Sequence, residues 1–110
     1  MIVTTGNDVV GYQIVGYVGV VRGIVVRATS FGQSLTGGFR QFVGGNIPEY
    51  IEVCERAREE AYEIMVEHAA ALGADAVIGM RYDATEFMAG TTEVLAYGTA
   101  VKLEKLPKAP

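Results

Sequence analysis

The sequence predicts an α+β fold in which one long helix joins an N-terminal strand region to two C-terminal strands. Three observations predict it. Residues 47–72 repeat apolar side chains at helical spacing, residues 12–28 are apolar at both parities, and Leu72-Gly73-Ala74-Asp75 leads straight into the apolar run Ala76-Val77-Ile78-Gly79.

Taken in order, Ile2-Val3-Thr4-Thr5 is a short β-prone segment closed by the turn signal Gly6-Asn7-Asp8. The long strand follows. One parity carries Tyr12, Ile14, Val18, Val20, Ile24 and Val26, and the other carries Val15, Tyr17, Val21 and Val25, so both faces need cover. Gly16, Gly19 and Gly23 interrupt it and predict bulges or bends. Residues 29–45 place Phe31, Leu35, Phe39, Phe42 and Val43 at helical spacing, but Gly32, Gly37 and Gly38 each cost ~1 kcal/mol in a helix interior, which makes this a short, weak helix.

Asn46 is positioned to cap the main helix, with Pro48 in its first turn and Glu49 and Glu52 against its positive end. Tyr50, Cys54, Ala57, Ala61, Met65, His68 and Leu72 form the stripe expected to be buried, flanked by Val53 and Ile64. Gly73 stands where a left-handed residue ends a helix. Strand character then runs from Ala76 through Tyr82, residues 84–90 read as a loop or hairpin end, and residues 91–103 return as a strand. Leu95, Tyr97, Val101 and Leu103 share one of its faces, and Val94, Ala96 and Ala100 the other.

With 110 residues, half of them hydrophobic, and a single cysteine, the chain is one domain without a disulfide framework. No run approaches the ~20 apolar residues of a membrane span, and no basic-then-apolar leader pattern opens the chain, so a reduced, cytoplasmic protein is expected. Of the net charge of −4, residues 49–67 hold seven Glu against Arg56 and Arg58, an acidic face that repels phosphate. The basic stripe that nucleic-acid binding requires is missing. Lys102, Lys105 and Lys108, with Glu104, Pro107 and Pro110, read as a solubilising end.

The chemistry is sparse. A soft-metal site needs several convergent Cys, His or Met ligands, and Cys54 and His68 are the only Cys and His. They lie fourteen residues apart, ~21 Å along a helix, too far to serve one ion or one catalytic pair within a copy. Cys54 is expected as a small buried residue, and His68 as a core or interface imidazole bonded to a backbone carbonyl. Glu59, Glu60, Glu63 and Glu67 are a solvated face, and neither Thr36-Gly37-Gly38 nor Gly16-Tyr17-Val18-Gly19 spells a phosphate loop. No catalytic residue, cofactor site or metal ligand set is assigned.

Gly11, Ile14, Gly19-Val20-Val21 and Gly23, then Gly44-Gly45, Tyr50, Ala57-Arg58 and Ala61, then Leu72-Gly73-Ala74-Asp75-Ala76-Val77 and Gly98-Thr99-Ala100-Val101 resemble the YbjQ family of uncharacterised bacterial and archaeal proteins. The resemblance covers nearly the whole chain. It implies one domain over residues 1–104 with a flexible tail at 105–110, and a strand-helix-strand-strand unit with an antiparallel sheet on the long helix, like a dodecin subunit. It also implies assembly into a ring of five copies, or ten as two stacked rings. The family carries a heavy-metal-binding label but no established activity, so it supplies no residue roles; the glycine-rich residues 31–38 depart from its pattern.

The residues themselves ask for a homo-oligomer, because one amphipathic helix cannot cover both faces of the 12–28 strand. The expectation is a non-enzymatic oligomer whose site lies between subunits and handles a metal. A ring that binds or stores a small aromatic or apolar molecule is the alternative, and a structural or partner-binding ring a third.

Overall fold

The computed structural model describes residues 1–28 and 48–107. The expected weak helix at 29–45, the Gly44-Gly45 separator and the Asn46 cap lie outside the described residues. The chain forms β1 (Ile2–Val3), β2 (Tyr12–Ala28), α1 (Pro48–Ala71), β3 (Ala76–Met88) and β4 (Thr91–Lys105). The four strands make one sheet in the order β1-β3-β4-β2, with α1 packed on one face.

The sheet is mixed, which corrects the purely antiparallel arrangement. β4 pairs antiparallel with both β2 and β3, but β1 runs parallel to β3. Its two residues carry too little pattern to announce a direction. The junction is held by backbone bonds: Thr4 N–H donates to Val77 O at 3.0 Å, Met80 N–H to Thr4 O at 3.0 Å, and Gly79 N–H to Gly6 O at 2.8 Å.

β3 is also longer than its composition suggests. Residues 84–88, expected as part of a loop or hairpin end, pair with Val94 through Thr91 and make the β3–β4 unit a long hairpin closed at Ala89-Gly90. Cross-strand pairing supplies the order that the exposed sequence Asp83-Ala84-Thr85-Glu86 does not announce. The strand reading of residues 12–28 and the bulges are both present, with register shifts at Ile14/Gly16 and Tyr17/Gly19. At its other end β4 runs on to Lys105, opposite Tyr12, and Leu106 N–H donates to Gly11 O.

Between helix and sheet lies the main core: Ala57, Ala61, Met65 and Ala69 of α1 meet Val21 and Val25 of β2, Val77 and Met80 of β3, and Val94, Ala96 and Ala100 of β4. Met65, Val21 and Val77 are fully buried, each contributing ~1.5–3 kcal/mol. A second cluster forms on the opposite face at one end, where Val9 from the 6–11 connection covers Ala76, Ile78 and Val101.

The buried stripe is rotated from its expected position. Ala69 replaces His68 on the inner line, His68 is half-buried, and Cys54 and Leu72 are exposed. The cause is the closeness of helix and sheet. A Cβ at Gly23 would stand 1.9 Å from Ala61 O and 2.6 Å from Met65 N, so backbone meets backbone there and alanines fit underneath better than larger side chains.

α1 stops as its sequence requires. Gly73 takes φ 77°, its N–H donates to Ala70 O at 3.0 Å, and Ala74 N–H donates to Ala69 O at 3.1 Å, the paired bonds of a Schellman cap.

Two substitutions test this packing in thermal or denaturant unfolding. Gly23→Ala should destabilise by about 3 kcal/mol, because only a backbone shift relieves the contact with Ala61, and wild-type stability would mean α1 sits farther from the sheet. Gly73→Val should cost about 1–2 kcal/mol through strain at positive φ.

Candidate functional site

The joint from α1 to β3 is a polar clamp. Asp75 N–H donates to Val101 O at 2.9 Å, and its carboxylate accepts from Leu103 N–H at 2.8 Å and from Lys102 Nζ at 3.4 Å. Lys102 Nζ also donates to Gly73 O at 2.9 Å, so one lysine ties the helix cap to β4. The Leu103 amide chiefly holds the Asp75 carboxyl below its ordinary value; burial opposes it, and the Lys102 ammonium adds to the lowering. These contacts satisfy the side chain within the fold and explain the aspartate of the Gly-Ala-Asp joint as structural.

Cys54 lies exposed near the start of α1 and His68 in its last turn, on a continuous helix that keeps them ~21 Å apart. His68 Nδ1 accepts a hydrogen bond from the backbone N–H of Arg22 at 3.2 Å, rather than donating to a carbonyl as expected. An imidazole that accepts at Nδ1 is neutral and carries its proton on Nε2, so neither nitrogen offers a lone pair to a metal. Ligating histidines have the opposite polarity, donating through the second nitrogen. Among the described residues no three His, Cys, Asp or Glu side chains converge on a metal-sized site.

The described residues line two grooves. One, about 460 Å³, is walled by Glu55, Arg58, Glu59 and Tyr62 of α1 and floored by Tyr82 of β3. The Arg58 guanidinium sits 5.9 Å above the Tyr82 ring, a cation–π contact. Burial first, and Tyr62 next, push the Tyr82 phenol above its ordinary value, with Arg58 opposing. The other groove, about 520 Å³, runs along the start of β2 beside Tyr12, Tyr17, Asp8 and Leu106.

The most extensive feature is the sheet face away from α1. Strand register aligns Val20, Thr99 and Ile78 in one row, Arg22, Tyr97 and Arg81 in the next, then Ile24, Leu95 and Asp83, then Val26, Glu93 and Thr85. Val20, Ile24 and Val26 are 66%, 45% and 53% exposed. Apart from the Val9 cluster at one end, no described element covers this face. Arg81 Nη1 is held by Thr5 O at 2.9 Å and Met80 O at 2.8 Å, which fixes a guanidinium beside Tyr97.

Sequence reasoning anticipated a surplus apolar face but missed the Arg22-Tyr97-Arg81 row, whose members are 16 to 75 residues apart and meet only through strand register. It also named Cys54 and His68, which the structure keeps apart. No described helix is long and apolar enough to cross a membrane.

The family model described as "Putative heavy-metal-binding", YbjQ, matches residues 1–104. A UPF0145 protein of Chromobacterium violaceum is 60% identical over 104 residues, covering 94% of this chain and 89% of the relative. A UPF0145 protein of Legionella pneumophila is 54% identical over 101 residues, covering 92% of this chain and 96% of the relative. A crystal structure from Pediococcus pentosaceus, of a protein with unknown function in the DUF74 family, superposes with a TM-score of 0.63 at 19% identity. It covers 94% of this chain and 98% of its own, a likeness of fold alone.

Because the folded-state value of Asp75 is depressed, its contribution to stability is present above the unfolded value, near pH 4, and is lost as pH falls through the folded value. Asp75→Asn should therefore be less stable than wild type at pH 7, with the difference shrinking below about pH 4. Parallel unfolding curves from pH 7 to pH 2 check this, and a difference independent of pH would remove the charge from the clamp.

Proposed function

The chain belongs to the YbjQ family, and on that premise we propose that it is a non-enzymatic, homo-oligomeric binding protein whose uncovered sheet face is closed by further copies of itself. The observation that carries this reading is the exposure of Val20, Ile24 and Val26 on a face already lined by Leu95 and Tyr97. Contiguous apolar surface of this kind on a soluble protein marks an interface. Charge supports self-association as well: the face presents Arg22 and Arg81, while the solvent side of α1 presents Glu52, Glu55, Glu59, Glu63 and Glu67. An interface joining two different surfaces closes into a ring when the rotation permits. A dodecin-like ring of five, or ten in two rings, is the arrangement that the family resemblance favours.

Metal handling, the property in the family description, requires donors from more than one copy. Cys54, exposed on α1, and exposed methionines such as Met88 are donors that such a site could draw on. A second reading, binding of a small aromatic or apolar molecule, is favoured by the groove of Arg58, Tyr62 and Tyr82.

Light scattering after size exclusion at low micromolar concentration should give a monodisperse species several times the 11.8 kDa chain mass, and Ile24→Asp should shift it to smaller species. A wild-type monomer would overturn the assembly; a trimer or hexamer would overturn only the number. Calorimetry with zinc and copper(I) should show no tight stoichiometric binding. Tight binding abolished by both Cys54→Ala and His68→Ala would establish a metal site that draws on both residues.

A further inference from the structure

β2 is the terminal strand of the sheet, with β4 on one side and no described strand on the other. Its outer edge presents backbone donors and acceptors of the kind that recruit foreign strands. At one point that edge is closed by a side chain. The N–H of Arg22 turns away from β4 and donates to His68 Nδ1 at 3.2 Å, a contact spanning 46 positions in the chain.

The geometry that allows this follows from the packing. Gly23 brings β2 against the α1 backbone at Ala61 and Met65. One turn beyond Met65, on the flank of the inner stripe, stands His68, whose half-buried ring overhangs the strand edge at the residue preceding Gly23. The Arg22 side chain lies with the Tyr97 row on the uncovered face, so the amide alone faces the imidazole.

We propose that His68 is an edge cap: its neutral imidazole takes the place of a neighbouring strand's carbonyl at Arg22, closing the terminal edge of the sheet there and seating the last turns of α1 on β2. The cap has two consequences. A strand adding to the β2 edge cannot bond the Arg22 amide and must pair on either side of it. The imidazole, accepting at Nδ1 and protonated at Nε2, is also withheld from metals, so the Cys and His content of the chain overstates its metal-binding capacity.

The test is nuclear magnetic resonance on the intact protein. In wild type at pH 8 the imidazole nitrogen spectrum should show the Nε2–H tautomer; a proton on Nδ1 overturns the cap without any variant. Hydrogen exchange at the Arg22 amide should be slow in wild type. It should remain slow in His68→Asn, whose Oδ1 falls near the position of Nδ1, and become at least about tenfold faster in His68→Leu, which has no acceptor. Amides of the β3–β4 pairs should stay protected in all three, reporting an intact fold. Wild-type protection at Arg22 in the Leu variant overturns the proposal, as does exchange in the Asn variant as fast as in the Leu variant. One equivalent of zinc chloride should leave Arg22 exchange unchanged; acceleration would mean that zinc takes the imidazole, and the cap assignment would fall.

Discussion

The contact on which the structure turns is the approach of the α1 backbone to β2 at Gly23. No side chain intervenes there: a single added carbon would fall 1.9 Å from Ala61 O. Everything that α1 buries is scaled to that distance, which is why its inner line reads Ala57, Ala61, Met65, Ala69 and why Ala96 and Ala100 face it from β4. The low seat of the helix also decides where it can reach. It covers β2 and β4 closely, leaves a groove over Tyr82 on β3, and puts His68 within bonding distance of the strand edge.

A helix held this close must be fixed at its end as well as along its length, and the polar joint does that. Gly73 reverses the chain, Lys102 holds the Gly73 carbonyl, and Asp75 holds the Leu103 amide, so helix cap and central strand share one set of hydrogen bonds. The clamp uses β4, which already pairs with strands on both sides. The last turn of the helix is thereby referred to the most constrained strand of the sheet.

Much of this was legible in the sequence wherever one segment carried its own signal. The helix and its stop at Gly73 rest on periodicity and a glycine, the bulges on Gly16 and Gly19, and the surplus apolar face on the two parities of residues 12–28. Failures cluster where the signal belonged to a partner segment. The parallel direction of β1 and the extension of β3 through Met88 are set by pairing, not by the residues that pair. Gly23 read as a bend, although its lack of a side chain serves a helix nearly forty positions away. Cys54 and His68 were assigned to the buried stripe because Ala69 looks neutral to a hydrophobicity count, and only the short helix–sheet distance makes alanine the residue that belongs inside.

The same geometry separates what this fold reserves for itself from what it offers. Asp75, Lys102 and the His68 ring are committed to backbone groups, so the polar side chains with the most suggestive chemistry are engaged in holding the helix to the sheet. What the described residues leave exposed is surface: the Arg22 and Tyr97 side chains amid exposed valine and isoleucine, the acidic side of α1, and Cys54. No other described element covers the apolar rows beyond the Val9 cluster. The described residues of one copy bring no three metal donors together, so the property that the family description names finds no ready-made site among them.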